Sequence, residues 1–593
     1  MRRSAAVLLF SVALASAGAD PLAVVPYKVA PEIPDALHAI EPDQVRIEGW
    51  LGARIDANMR GRLEVVDTVP LLAGFIAKPG DQPWIGEHIG KWLHAATLAW
   101  AYTRDDALRR KLDQAAAQLI ATQEPDGYLG TYVPSQRFGL YPGADWDVWS
   151  HAYDMIGLLT YYRYTGNEAA LVASRRVADL LIGTFPAKKS ILAAGTHVGM
   201  AATSVLEPIV ELYRLTGDRR YLDFARYIVS SYDEPGGPRI VRSMLADHDV
   251  SRTADGKAYE MMANLMGICD LARVTGDRKL LLAVLNAWGD IVGNRLYLTG
   301  TSSTQEAFAG DHVLPNDRDS KIGETCVTTT WIQLNLQLLQ VTGDPAYADQ
   351  IERSLYNHLA AAQNPRGDDW CYYTPLEGRK QYDKDITCCH SSGPRGLALA
   401  PTAAYLQSAD AIYVSTFETS QAHFMVGGQP VEIDQQSGFP RAGRAVLTIH
   451  TPGPATFDLR IRVPEWAAPL RSGDEQYEAG WTTLRSGTWK DGDHIAYTFT
   501  LTGSTIAGTY TNLHHTAAAW GPFILAADTA RNPGLTSLGT LRLADGAEPS
   551  LASSAGSLSF AIAASGQPSL VLVPFADAGA TGGEYRVWLR DAP

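Results

Sequence analysis

Four short turns constrain the architecture most. Thr165-Gly166-Asn167, Thr216-Gly217-Asp218, Thr275-Gly276-Asp277 and Thr342-Gly343-Asp344 each separate two stretches of helical periodicity, and Thr103-Arg104-Asp105 is a degenerate copy. Glycine takes the left-handed position that ends one helix, and Asp or Asn caps the next. A turn this short makes the two helices antiparallel neighbours. Their apolar faces are one-sided: Val327, Trp331, Leu334, Leu338 and Val341 precede the last turn, and Tyr347, Ile351, Leu355 and Leu359 follow it. The four glycines lie 51, 59 and 67 residues apart, so each repeat is one helical hairpin plus a growing insertion, and such insertions collect on one face. Five hairpins are explicit, and helices near 45–60 and 395–407 would supply a sixth. Residues 20–408 therefore read as an (α/α)6 toroid. An open superhelix of binding repeats suits the long, unequal insertions less well than a closed barrel with a loop-built pocket.

From about Ala411 the period changes to two. Phe457, Leu459, Ile461 and Val463 alternate with Asp458, Arg460 and Arg462; Ile495, Tyr497, Phe499 and Leu501 form a second such set, and Tyr585, Val587 and Leu589 a third. Alternation predicts half-buried strands. Residues 411–505 read as a β-sandwich and 506–593 as a second, similar module, so the fold class is multidomain α + β.

The chain begins Met1-Arg2-Arg3, followed by an apolar run from Ala5 to Leu14 and then Ala15-Ser16-Ala17-Gly18-Ala19. A charged start, a short apolar stretch and a small-residue cleavage site predict a signal peptide over 1–19 and an exported protein. The run is too short to span a bilayer, and no later stretch is long and apolar enough, so membrane insertion is not expected. With 50 Lys+Arg against 64 Asp+Glu the net charge is −14, and no basic stripe is present, which argues against a nucleic-acid partner. The pattern sets no oligomeric state. The 14 Trp and 26 Tyr residues suit a protein that handles sugar rings, although an ordinary core also uses them.

Five cysteines in 593 residues are too few for a disulfide scaffold. Cys269 and Cys371 read as core or loop residues. Cys326 lies in Gly323-Glu324-Thr325-Cys326, at a helix start, and Cys388 and Cys389 are adjacent, just before another helix. Neighbouring α-carbons are about 3.8 Å apart, below the roughly 4.4–6.8 Å of ordinary bridges, so a vicinal disulfide is strained. Free thiols fit poorly with export unless something holds them. Zinc would do so, with Glu324, Cys326, Cys388 and Cys389 filling a four-coordinate shell. Buried free cysteines and a redox pair remain open on the residues alone. Acidic candidates near the cluster include Glu306, in Thr304-Gln305-Glu306-Ala307-Phe308, with Asp311, Asp317 and Asp319 following, although a lone Glu on a polar loop is usually only solvated.

At these residues the chain resembles the zinc-dependent β-L-arabinofuranosidases of glycoside hydrolase family 127. Glu324-Thr325-Cys326 together with Cys388-Cys389 is the most specific part. Trp84-Ile85-Gly86-Glu87-His88-Ile89-Gly90-Lys91-Trp92, Gln123-Glu124-Pro125-Asp126-Gly127-Tyr128-Leu129, Trp146-Asp147-Val148-Trp149-Ser150-His151, Leu314-Pro315-Asn316-Asp317, Leu355-Tyr356-Asn357 and Arg462-Val463-Pro464-Glu465-Trp466 also fit, over roughly residues 40 to 500. The resemblance implies a retaining glycosidase acting on a carbohydrate. Cys388 would be the nucleophile, Glu306 the acid/base, and Glu324, Cys326, Cys388 and Cys389 the zinc ligands. His151 and Tyr372 would contact the sugar. An anionic metal–thiolate cluster would stabilise a cationic transition state and raise the pKa of a neighbouring acid, the direction an acid catalyst needs. Where relatives often carry histidines that line the sugar site, this chain has Ala201-Ala202-Thr203 and Lys257-Ala258-Tyr259-Glu260. A polysaccharide lyase and a non-catalytic glycan-binding protein are the alternative readings of the same architecture. A lyase would use a Tyr or His base with charge neutralisers for a uronate.

Overall fold

The structure is a computed structural model that describes residues 22–139, 146–383, 386–535, 537–552, 557–566 and 568–591. The expected signal peptide lies outside the described residues. Among them no helix is long and apolar enough to cross a membrane.

The N-terminal part is helical. Helix α1 is Gly49–Asn58, and five hairpins follow: α2 Glu87–Thr103 with α3 Asp106–Ala121, α4 Asp147–Thr165 with α5 Glu168–Thr184, α6 Leu206–Thr216 with α7 Arg219–Ser231, α8 Ala258–Thr275 with α9 Arg278–Asp290, and α10 Thr325–Thr342 with α11 Pro345–Arg353. Helix α12, Cys388–Leu399, pairs with α1. The sixth hairpin is thus assembled from the two ends of this part. Residues 45–47 are a strand rather than helix, as are 405–407, because both leave the helices to join a sheet.

The turn chemistry is as the sequence predicts. Gly166, Gly217, Gly276 and Gly343 have φ of 69°, 74°, 73° and 73°. Asn167, Asp218, Asp277 and Asp344 accept backbone N–H bonds at the next helix start. The threonine has its own reason to recur. Its hydroxyl donates to the carbonyl four residues back (Thr216 to Leu212 at 2.7 Å) and accepts the N–H of the capping residue (Asp218 at 3.2 Å). Arg104 fills the glycine position of the fifth copy at φ 59°.

Helices α2, α4, α6, α8, α10 and α12 pack each against the next, and α12 packs against α2. Because each of the five hairpins runs inner helix, turn, outer helix, their five inner helices are parallel. Their N-termini and the long insertions share one face, and the Thr-Gly-Asp turns share the other. Residues 25–37 run along the turn side, donating to the carbonyls of Arg163, Arg214, Arg273 and Gln340 in order.

The C-terminal part is β-sheet. A seven-stranded sheet has at its centre Arg444–His450, flanked by His494–Phe499 and Gln429–Ser437, and takes Val45–Ile47 as an edge strand. A five-stranded sheet includes Ala411–Val414 and Asp458–Val463. In Asp458–Val463 the alternation fails at Arg462, which is 1% exposed. Its guanidinium is satisfied by Asp349 (2.6 Å), Glu352 and the Ser415 carbonyl, so the residue ties this sheet to α11. A third sheet, from Gly503 onward, includes Tyr585–Arg586, which also pairs with Glu377–Gly378 of the helical part.

A candidate sulfur and carboxylate centre

The site stands at the N-terminal ends of the inner helices. Glu324 caps α10 by position but makes no capping bond with its carboxylate, and Cys326 follows in the first turn. Cys388 and Cys389 open α12, where the Thr387 hydroxyl accepts the His390 N–H. Helix N-termini favour negative charge, so both starts suit thiolates. One extended segment binds the two halves: Thr325 N–H donates to the Tyr372 carbonyl at 3.1 Å, and the Thr325 hydroxyl to that of Cys371 at 2.7 Å.

The result is one cluster. Ligand atoms of Glu324, Cys326, Cys388 and Cys389 all lie within 4.8 Å of one another and could hold a metal ion. Cys326 Sγ is 3.6 Å from Cys389 Sγ, and Cys388 Sγ is 3.9 Å from Cys389 Sγ, so the adjacent cysteines form no disulfide. One Glu324 carboxylate oxygen is buried with no protein partner. Cys326, Cys389 and Glu324 are buried, whereas Cys388 is half-buried. Hydrogen bonds from the Cys326 and Cys389 thiols, with Lys91 and Tyr372 adding to them, hold the Cys388 thiol well below its ordinary pKa. Burial pushes Cys326, Cys389 and Glu324 upward. Negative charge therefore concentrates on Cys388, the one residue of the four that is not fully buried. Cys269 and Cys371 are buried outside this cluster, each pushed up to about 12 by burial.

Tyr372 is brought to the centre, its hydroxyl hydrogen-bonded to Cys388 Sγ at 3.3 Å. Glu306 is held in a tight turn in which Gln305 and Glu306 both take positive φ, 51° and 65°. A strained backbone of this kind persists where the surroundings over-determine it. Its carboxylate accepts the Tyr373 hydroxyl and the Lys257 ammonium, the latter at 2.6 Å. Burial favours the neutral acid, but the Lys257 charge and these two hydrogen bonds outweigh it and hold Glu306 below its ordinary value. This corrects the expectation of a raised pKa: the Cys388 charge does push upward, as a smaller influence than Lys257.

His151 is not brought to the cluster's open side. It is 0% exposed, with Nδ1 bonded to the Asp147 carbonyl (2.7 Å) and Nε2 facing the Leu129 N–H (3.4 Å). Its ring meets Tyr128 edge-on and lies tilted against Phe138.

Three residues escape sequence reasoning. Lys91 is fully buried, paired with Glu87 at 2.9 Å and packed near the rings of Tyr153 and Tyr259. Its field reaches Cys326 and Cys388, and burial notwithstanding it stays charged. The signal was a Glu–Lys pair at i and i+4 on a helix that is otherwise nearly all core. Lys257 and Tyr373 gave no such signal, since both meet Glu306 through long-range contacts, and Lys257 acts on Glu324 as well.

Fold and site together define a two-part α + β protein with a thiol-rich, metal-type centre beside a carboxylate. The profile described as "Beta-L-arabinofuranosidase, GH127 catalytic domain" matches residues 39–401, and that of the GH127 middle domain matches 411–501. The chain belongs to glycoside hydrolase family 127. A non-reducing end β-L-arabinofuranosidase from Bifidobacterium longum is 27% identical over 431 residues, which span 64% of this chain and 64% of that protein. Two solved structures share the fold. A GH127 β-arabinofuranosidase aligns with a TM-score of 0.80 at 20% identity, covering 94% of this chain and 98% of the other. A GH127 β-L-arabinofuranosidase from Geobacillus stearothermophilus T6 aligns at 0.77 and 20%, covering 92% and 100%.

Proposed function

We propose that this chain is an exported, retaining glycoside hydrolase that releases terminal β-L-arabinofuranose, or a closely related sugar, from plant-type glycans. Its catalytic part is residues 20–408, an (α/α)6 toroid formed by the closed ring of six inner helices. Residues 411–505 and 506–593 are β-sandwich modules packed beside it. The observation that carries the reading is the cluster of three sulfurs and one carboxylate, with a buried Glu324 oxygen that has no protein partner and Cys388 alone not fully buried.

Zinc fits this donor set. For a tetrahedral site with Zn–S bonds of about 2.3 Å the S–S edge is about 3.8 Å, and two of the S–S separations in the structure are 3.6 and 3.9 Å. Glu324, Cys326, Cys388 and Cys389 would hold the ion, which would keep the sulfurs deprotonated and fix their orientation. The Cys388 thiolate attacks the anomeric carbon as the C1–O bond breaks, and the leaving oxygen takes a proton from Glu306. Glu306 then removes a proton from water, which attacks C1; the C–S bond breaks and the thiolate is restored. Tyr372 orients the nucleophile through its hydroxyl, and Lys91 offsets the charge beneath the cluster. Since Glu306 is ionised at rest, the proton it delivers is taken up before or with the substrate.

The test is turnover of an aryl β-L-arabinofuranoside, with the α-anomer and aryl pyranosides as controls. Selective release from the β-L-furanoside, abolished in Cys388→Ala and accompanied by about one zinc per chain, is the expected result. Zinc-free protein with full activity would remove the metal from the account, and no release from any furanoside would remove the reaction.

A further inference from the structure

Beside the centre lies an open cleft of about 390 Å³. Its inner wall is Tyr372 and Tyr373, the residues whose hydroxyls meet Cys388 and Glu306. Its outer wall is cationic: Arg318, Lys321 and Arg379 face a single carboxylate, Asp319. In a chain of net charge −14 this concentration of positive charge runs against the background. Arg318 donates to Gln381 (2.6 Å) and Lys321 stands near the Tyr373 ring, and among the described residues neither is in a salt bridge. Arg379 keeps one rim-exposed contact to Glu584 at 3.4 Å.

These cations are positioned rather than trailing. Arg318 and Lys321 lie on the loop between Glu306 and Glu324, closed by the Lys321 N–H to Arg318 carbonyl bond at 2.9 Å. Asp317 braces the same turn through the Ser320 N–H (3.0 Å) and hydroxyl (2.8 Å). The loop is held from the C-terminal part, where the Thr511 hydroxyl, in the turn Tyr510–Asn512, donates to the His312 carbonyl at 2.9 Å. Arg379 donates to the Gly582 carbonyl, also in the C-terminal part.

We infer that this cleft is a leaving-group subsite for an acidic glycan, one that carries a uronic-acid carboxylate next to the sugar released. A sugar with its anomeric carbon at Cys388 and its leaving oxygen toward Glu306 directs the rest of the glycan across Tyr373, into the cationic cleft. Guanidinium groups match a carboxylate in geometry as well as charge. The tyrosine rings supply flat surface for the sugar that bears it. The inference rests on the proposed reaction for its orientation. The cleft's preference for a carboxylate is a separate property of the surface.

Two measurements test it. The first is binding of trigalacturonate, and of the same oligosaccharide with its carboxyls reduced to alcohols, to the whole protein by calorimetry at low and high salt. Binding of the acid alone is expected, weakening with salt and falling roughly tenfold in the combined Arg318→Gln, Lys321→Gln and Arg379→Gln variant. The single exposed-residue variants Arg318→Gln and Arg379→Gln guard against misfolding, with a partial loss of binding expected in each. The second is kcat/KM for an arabinofuranosyl uronide against its carboxyl-reduced counterpart. A ratio near ten is expected in wild type, falling toward one in the combined variant. No binding of trigalacturonate, or binding indifferent to these charges, overturns the inference. If the uronide binds at these cations but no arabinofuranoside is cleaved, the proposed reaction falls and the acidic-ligand site stands.

Discussion

Replacing Glu418 by Gln tests how the two parts of the chain are joined. Glu418 comes from the start of the sheet region and is 0% exposed. Its carboxyl oxygens take the Trp50 N–H (3.2 Å), the Leu51 N–H (3.0 Å) and the Tyr356 hydroxyl (2.9 Å), so it caps the start of α1 from across the junction. Burial, set against those bonds, pushes it up to about 7 from 4.5. The folded state thus binds this proton more tightly than the unfolded chain does. Stability is highest below about pH 4.5 and falls as pH rises through about 7. At 1.36 kcal/mol per pH unit the loss amounts to about 3 kcal/mol. In Glu418→Gln this loss disappears, while the acceptor lost from Trp50 costs about 1 kcal/mol at every pH. Chemical denaturation at pH 5 and pH 8 measures the difference of differences. Equal pH dependence in the two proteins would refute the assignment of that proton to Glu418.

Lys257→Met removes the charge that holds Glu306 low, so the Glu306 pKa rises and the alkaline limb of kcat/KM moves to higher pH; a limb that stays in place would separate Glu306 from the rate-limiting proton. Arg462→Met leaves the largely buried Glu352 and the half-exposed Asp349 without their cation, and a loss of about 3 kcal/mol is expected by denaturation, with a negligible change counting against the tie between α11 and its sheet.

The hairpins were legible because their turns are local. A glycine at positive φ, a capping carboxylate and a four-residue periodicity all act within one turn of chain. The sixth hairpin was harder, since α1 and α12 are more than three hundred residues apart and no turn joins them. Strand alternation misread Arg462 because a buried ion pair satisfies a charge at a core position, which the period of two cannot register. The three cluster cysteines stood out because Cys388 and Cys389 are adjacent, where a disulfide is strained, and five cysteines are too few for a disulfide scaffold. Their electrostatic partners did not: Lys91 and Lys257 acquire meaning only where the packed inner helices bring them beside Cys388 and Glu306. His151 shows the converse. A histidine at a helix start near a family motif reads as a ligand contact from the sequence, whereas the backbone partners of its two ring nitrogens become visible only in the fold.

The central claim is that Cys388 attacks the sugar. Incubating a Glu306→Gln variant with a β-L-arabinofuranoside bearing a good leaving group should accumulate the covalent intermediate, because the departing aryl group needs little acid help while water lacks its base. Peptide mass spectrometry of the quenched protein should then find one anhydropentose on the segment that contains Cys388 and Cys389, with fragmentation placing it on Cys388. Substrate turnover with no sugar on that peptide, or with the sugar on any other residue, would contradict the account.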